Sequence, residues 1–169
     1  MWRRRPWLLL SLALLFAAPM GRAQSNDAPL LTLVLADGRS RTFTRADLEA
    51  MPQEKASVRL RDAAPFTVSG VSVTALLKAA GLDLSARLGA ANVVGHVLVA
   101  RAADGYRAVF GLAEVDPHFG HALLLVSWTE ADGSPLPARV GPLQLISTGE
   151  SRPGRWVRQL QSLEVKSVP

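Results

Sequence analysis

Three Asp-Gly pairs punctuate this chain: Asp37-Gly38, Asp104-Gly105 and Asp132-Gly133. Each stands beside apolar or β-branched runs, and Asp-Gly readily takes the positive-φ geometry of a tight hairpin turn. Residues 31–35 lead into the first pair and 41–44 leave it. Residues 93–101 and 106–110 flank the second, and 123–129 lead into the third. Further strands are expected at 56–61, 66–69, 143–147 and 160–165. Helices are few and short. Thr44-Arg45-Ala46-Asp47 resembles a capping box, and Pro52 stops the helix behind it. Ser72 can cap a helix over 73–80 that buries Val73, Leu76, Leu77 and Ala80, with Gly81 closing it. A third turn is expected at 111–115. The fold class is α+β: a mixed, mostly antiparallel, hairpin-rich sheet system with short helices.

The first 23 residues read as a secretory signal peptide. Arg3-Arg4-Arg5 precedes an apolar run from Trp7 to Ala18, and Gly21-Arg22-Ala23 puts small residues at −3 and −1 of a cut. The run falls short of the roughly 20 residues of a spanning helix. Arg4-Arg5 has a twin-arginine character, while the short leader and the Leu run favour the general export route. Residues 24–30 then form a polar lead-in, 31–169 a single domain, and the expected location is periplasmic or secreted.

The formal charge of +5 comes mostly from the leader, because Arg3, Arg4, Arg5 and Arg22 precede the cut and no acid does. The mature chain is left near neutrality, with no basic run interleaved with aromatics, which argues against nucleic acid. The mature chain is expected to have no membrane span. There is no cysteine. Disulfides, thiolate catalysis, zinc–cysteine sites, iron–sulfur clusters and covalent haem attachment are excluded with it.

No nucleophile elbow, Walker loop or His-Glu-x-x-His motif occurs. Asp116, His118 and His121 can be drawn as a metal site, but a histidine pair without a third fixed ligand more often bonds backbone carbonyls on a solvated loop, and no metal is assigned. His96 alternates with Val94 and Leu98, as a sheet histidine would. The densest cluster is 147–156, Ser-Thr-Gly-Glu-Ser-Arg-Pro-Gly-Arg-Trp. Glycines, hydroxyls and two arginines at the start of a helical turn suit a phosphate or another anion. The competing reading pairs Glu150 with Arg152 or Arg155 and packs Trp156 on the core.

The order of motifs resembles the molybdopterin-binding oxidoreductase domain of the sulfite oxidase family. Residues 43–52 (Phe-Thr-Arg-Ala-Asp-Leu-Glu-Ala-Met-Pro) are similar to its opening, and 66–81 to its Gly-Val-x-Leu-x-x-Leu-Leu segment. Asp104-Gly105-Tyr106 with 110–114, then Gly133, Pro135-Leu136-Pro137, Gly141-Pro142-Leu143, Gly154-Arg155-Trp156-Val157 and Leu163-Glu164-Val165 continue it. The resemblance implies a molybdopterin cofactor and an oxidoreductase class. It also implies binding positions at Gly141, Pro142, Gln144, Gly154, Arg155 and Trp156, with Arg155-Trp156 near the phosphate end.

Two departures cut against that activity. The interval 53–65, where catalytic members carry the molybdenum-ligating cysteine, has none, and Gln144 stands where the family has a pterin-side arginine. Three readings follow. The chain still holds the cofactor or a related anionic ligand in the 141–156 region, or it is a non-enzymatic binding module that kept the fold without the metal. In the third it is an accessory subunit, meeting a redox or membrane partner through a sheet edge or an apolar Phe110/Phe119 region. One deep pocket ringed by Arg155, Gln144, His96 and the 53–65 loop would favour a bound ligand. Filling of that pocket by Trp156, Phe66 or Trp128 opposes it.

Overall fold

The computed structural model describes residues 28–86, 89, 91–120 and 122–168. The signal-peptide reading falls outside these residues. The strands are β1 (Leu31–Val34), β2 (Ser40–Phe43), β3 (Glu54–Val58), β4 (Phe66–Ser72), β5 (His96–Ala102), β6 (Arg107–Gly111), β7 (Leu124–Ser127), β8 (Gln144–Ser147) and β9 (Leu160–Ser167). Four short helices join them: α1 (Arg45–Ala50), α2 (Val73–Ala79), α3 (Ala91–Val94) and α4 (Leu112–Val115). One sheet runs β2-β1-β9-β5-β6 and the other β3-β4-β7-β8. The β1–β9 pairing is parallel and the other strand pairings are antiparallel. The α+β, mostly antiparallel architecture expected from the sequence is the one observed.

The three Asp-Gly turns share one geometry. Gly38, Gly105 and Gly133 have φ of 85°, 87° and 86°. Each preceding aspartate accepts the amide two residues on: Asp37 from Arg39, Asp104 from Tyr106 and Asp132 from Ser134. This Asx bond holds the turn while glycine takes the left-handed region. The first two turns close β1–β2 and β5–β6. The third closes a short arm bridged at Thr129–Pro135 before the chain enters β8.

Alternation along the strands places the core. Leu31 and Leu33 of β1, Leu124 and Val126 of β7 and Leu145 of β8 join the main cluster between the sheets. Leu125 and Ile146 point the other way and form a second cluster with Val58 and Val68, against which Phe66 and Trp156 pack. The four-stranded sheet is therefore apolar on both faces, and burial of each such side chain stabilises by about 1.5–3 kcal/mol. The side-chain period of two puts Gln144 on the same face of β8 as Ile146, beside Trp156.

The α1 capping box forms: Thr44 Oγ1 accepts the Asp47 amide, and the Asp47 carboxylate accepts the Thr44 amide at 2.8 Å. Ser72 occupies the N-cap of α2 but makes no side-chain cap bond. Arg41 Nη1 donates to Ala79 O at 2.6 Å, placing a cation at the C-terminal end of α2.

Two element boundaries differ from expectation. The strand expected from 93 starts at His96, because residues 91–94 form α3, which buries Val93 and leaves Val94 61% exposed. His96 therefore has no strand alternation with Val94; a short apolar run has no periodicity that separates strand from helical turn. β3 ends at Val58, where the chain turns and the Arg61 amide donates to Ser151 O at 2.8 Å. Among the described residues no helix is long and apolar enough to cross a membrane.

Candidate functional site

The 147–156 loop is organised around Arg155, at the end of a 3-10 turn (Pro153–Arg155). Its Nε donates to Glu150 Oε1 at 2.7 Å, and its Nη1 to Glu114 Oε2 at 3.2 Å. The guanidinium lies 4.5 Å from the centroid of Phe110. Partial burial opposes its charge, but the two carboxylates outweigh it and hold the pKa above the usual arginine value. Ser147 Oγ donates to the same Glu150 oxygen. Of the two sequence readings of this loop, the structure takes the ion-paired one. Arg155 joins the two sheets and is not a free anion anchor.

Trp156 is held from two sides. Its Nε1 donates to Ser147 O at 2.9 Å, and its ring meets Phe66 edge-on at 6.3 Å between centroids. Beside it opens a cleft of about 260 Å³ lined by Asp104, Tyr106, Gln144, Pro153, Gly154, Trp156 and Arg158. Gln144, Gly154 and Trp156 thus converge, as the motifs imply. Gln144 is only 9% exposed, and its residual exposure is to this cleft. The Tyr106 hydroxyl donates to Gly154 O and ties the β5–β6 hairpin to the 3-10 turn.

Gly141 and Pro142 lie elsewhere. They share a cis peptide bond and line a separate cleft of about 320 Å³ with Pro29, Leu30 and Gln159. Next to them the Arg45 guanidinium stacks 5.3 Å from the Trp128 centroid, and burial lowers its pKa. His96 opens on a third cleft, with Asp37, Arg39 and Asn92. Gln53 is turned toward α1, donating to Leu48 O and Met51 O. Arg155, Gln144, His96 and the 53–65 loop therefore do not line one pocket in common, and Phe66 packs edge-on against Trp156.

Asp116 is fully buried, so its loop is not solvated at that point. Its Oδ1 accepts the His118 amide, and His118 Nε2 lies 3.4 Å from Ser85 O, a backbone carbonyl. His121 lies outside the described residues. Phe110 is buried and only Phe119 is exposed, so the pair does not form one apolar surface.

Sequence reasoning missed Asp104, Tyr106 and Arg158 as cleft residues. The first two entered only as a turn and as part of the family resemblance, and Arg158 belongs to no motif. It also missed a cleft of about 450 Å³ between α2 and the chain around Val115 and Leu123, where Lys78 is paired with Asp83 at 2.9 Å.

A molybdenum-bearing pterin does not fit these residues. The sequence supplies no thiolate, the cation nearest the expected phosphate end is neutralised by two carboxylates, and the six implied positions are divided between clefts and an ion-pair cluster.

No protein-family model matches the chain, and no curated protein matches it. Among solved structures, the sulfane dehydrogenase SoxCD from Paracoccus pantotrophus is similar with a TM-score of 0.60 and 18% identity, over 83% of this chain and 38% of that one. At that identity the likeness is one of fold, and it agrees with the sulfite-oxidase-type α+β architecture.

Proposed function

We propose that this chain is an exported, non-enzymatic binding module: a single domain of sulfite-oxidase-type fold that holds a small planar heterocycle of the pterin class without a metal. The observation that carries this reading is Gln144, an amide 9% exposed that opens on the cleft beside the Trp156 ring. A buried amide strand residue needs polar partners, and a ligand with paired donor and acceptor edges supplies them. The indole offers a flat apolar surface for the same ligand. The absence of cysteine and the commitment of Arg155 to Glu150 and Glu114 weigh against molybdenum chemistry. The basic, apolar and small-residue parts of the first 23 residues support export.

Metal and pterin content test the reading on protein purified from the periplasm of a molybdenum-replete host, together with titration of the protein with pterin. Pterin binding without molybdenum is expected. Near-stoichiometric molybdenum would establish a cofactor enzyme with a non-cysteine ligand set. The absence of both copurified pterin and binding on titration, in folded protein, would overturn the pterin assignment.

A further inference from the structure

Three candidates stand out beyond the site just described: the 450 Å³ cleft at α2, the outer face of the five-stranded sheet, and the charge pattern of the Gln144 cleft. In the first, the Lys78 and Asp83 charges satisfy each other. On the second, Arg101 and Lys166 both pair with Glu164. The third has unspent charges of opposite sign.

We infer that the Gln144 cleft selects a bipolar ligand, one with a hydrogen-bond-donating nitrogen edge for Asp104 and a single carboxylate for Arg158, over a phosphorylated one. This rests on the binding reading above and specifies its ligand. Asp104 and Arg158 both line the cleft, and neither is in an ion pair among the described residues, in contrast to Arg155. Each is held by backbone that is itself well determined. Asp104 Oδ1 is bound by the Tyr106 amide at 2.9 Å, which orients the carboxylate at the hairpin tip. Arg158 precedes Gln159, which has φ of 47°, in the left-handed region that few non-glycine residues occupy. Three hydrogen bonds hold Gln159 there: its amide to Val140 O, its carbonyl from the Ala103 amide, and its Nε2 to Ala138 O.

The chemistry follows from the two signs. A carboxylate accepts two parallel N–H bonds from an aminopyrimidine-type edge, and a guanidinium donates to one carboxylate in the same forked way. With Gln144 between these chemistries, the cleft can read a donor edge, an amide edge and one anion. Asp104 and Arg158 together carry no net charge, so the second negative charge of a phosphate dianion gains nothing over a carboxylate.

The test titrates three probes into the full mature chain by calorimetry at neutral pH: 6-carboxypterin, the uncharged 6-hydroxymethylpterin, and its monophosphate ester. The expected order is carboxypterin about tenfold tighter than the uncharged probe, with the phosphate ester no tighter than the carboxylate. Arg158→Gln should abolish the preference for the carboxylate, weakening carboxypterin far more than the uncharged probe. Asp104→Asn keeps a turn-compatible Asn-Gly pair. It should weaken the uncharged probe and improve the phosphate ester relative to the carboxylate. Equal binding of all three probes, or an Arg158→Gln effect of the same size on each, would overturn the bipolar assignment while leaving the pterin reading intact. Binding of none of them removes both.

Discussion

Arg155 and Glu150 meet at 2.7 Å inside the loop whose composition advertises an anion site. The guanidinium also reaches Glu114 on α4 and lies over Phe110 on β6, so one side chain ties the β8 side of the fold to the β6 side. Because Arg155 is 39% exposed as a side chain, its ion pairs are screened and its packing contributes as much as its charge. Arg155→Ala is expected to cost about 1–2 kcal/mol, from the lost pairs and the lost cation–π contact. Arg155→Met, which keeps the apolar stem, should recover part of it. Urea unfolding of the two variants checks both statements.

A methyl group at Gly70 would lie 2.3 Å from Val126 O, inside contact distance of a backbone that cannot yield. β4 pairs with β7 from Val71 onward, and only a residue without Cβ allows the approach. Gly70→Ala should destabilise by about 2–4 kcal/mol, the range of strongly overpacked core sites. Gly149→Ala and Gly154→Ala meet nothing within 4 Å and should stay within about 0.5 kcal/mol of the parent. Thermal or denaturant unfolding of the three proteins separates these expectations.

Glu164 on β9 is held below its usual carboxylate pKa, first by the Lys166 ammonium at 2.8 Å and then by Arg101 at 2.7 Å, against partial burial. A depressed folded pKa means that this stabilisation is fully present above the unfolded value, near 4.5, and is lost as pH falls through the folded one. Melting temperature should therefore drop below about pH 4.5, the reference value for a free glutamate here. Glu164→Gln should lower stability at pH 7 and flatten the acid limb. An unchanged acid limb in the variant would remove Glu164 as its source.

Thr44→Ala removes the hydroxyl that accepts the Asp47 amide at 3.1 Å and breaks the reciprocal box at the start of α1. A cost of about 1 kcal/mol is expected. Thr44→Ser, which keeps the oxygen, should cost less. Far-ultraviolet circular dichroism through an unfolding transition reads the difference.

Much of the fold was legible along the chain, because its signals are local. Asp37-Gly38, Asp104-Gly105 and Asp132-Gly133 dictate their turns through one side-chain bond and one positive φ each, with no help from distant residues. The Thr44–Asp47 box is equally local, as is the alternation that sends Leu31 and Leu33 inward. The strand expected from Val93 starts only at His96, because Val93-Val94 carries no period long enough to choose between helix and strand, and 91–94 form a helical turn that buries Val93.

The site divides in the same way. The family resemblance implied six positions, of which Gln144, Gly154 and Trp156 line one cleft, and the absence of cysteine by itself removed thiolate ligation of a metal. Tertiary packing assigned the charges. Glu114 reaches Arg155 from 41 residues away and pairs with it, while Asp104 and Arg158, which no motif links, come to line one cleft. Turns and caps are set by bonds between residues two or three apart. The partners of a charge are set by which strands lie side by side, and in a sheet with long connections that is a property of the whole chain.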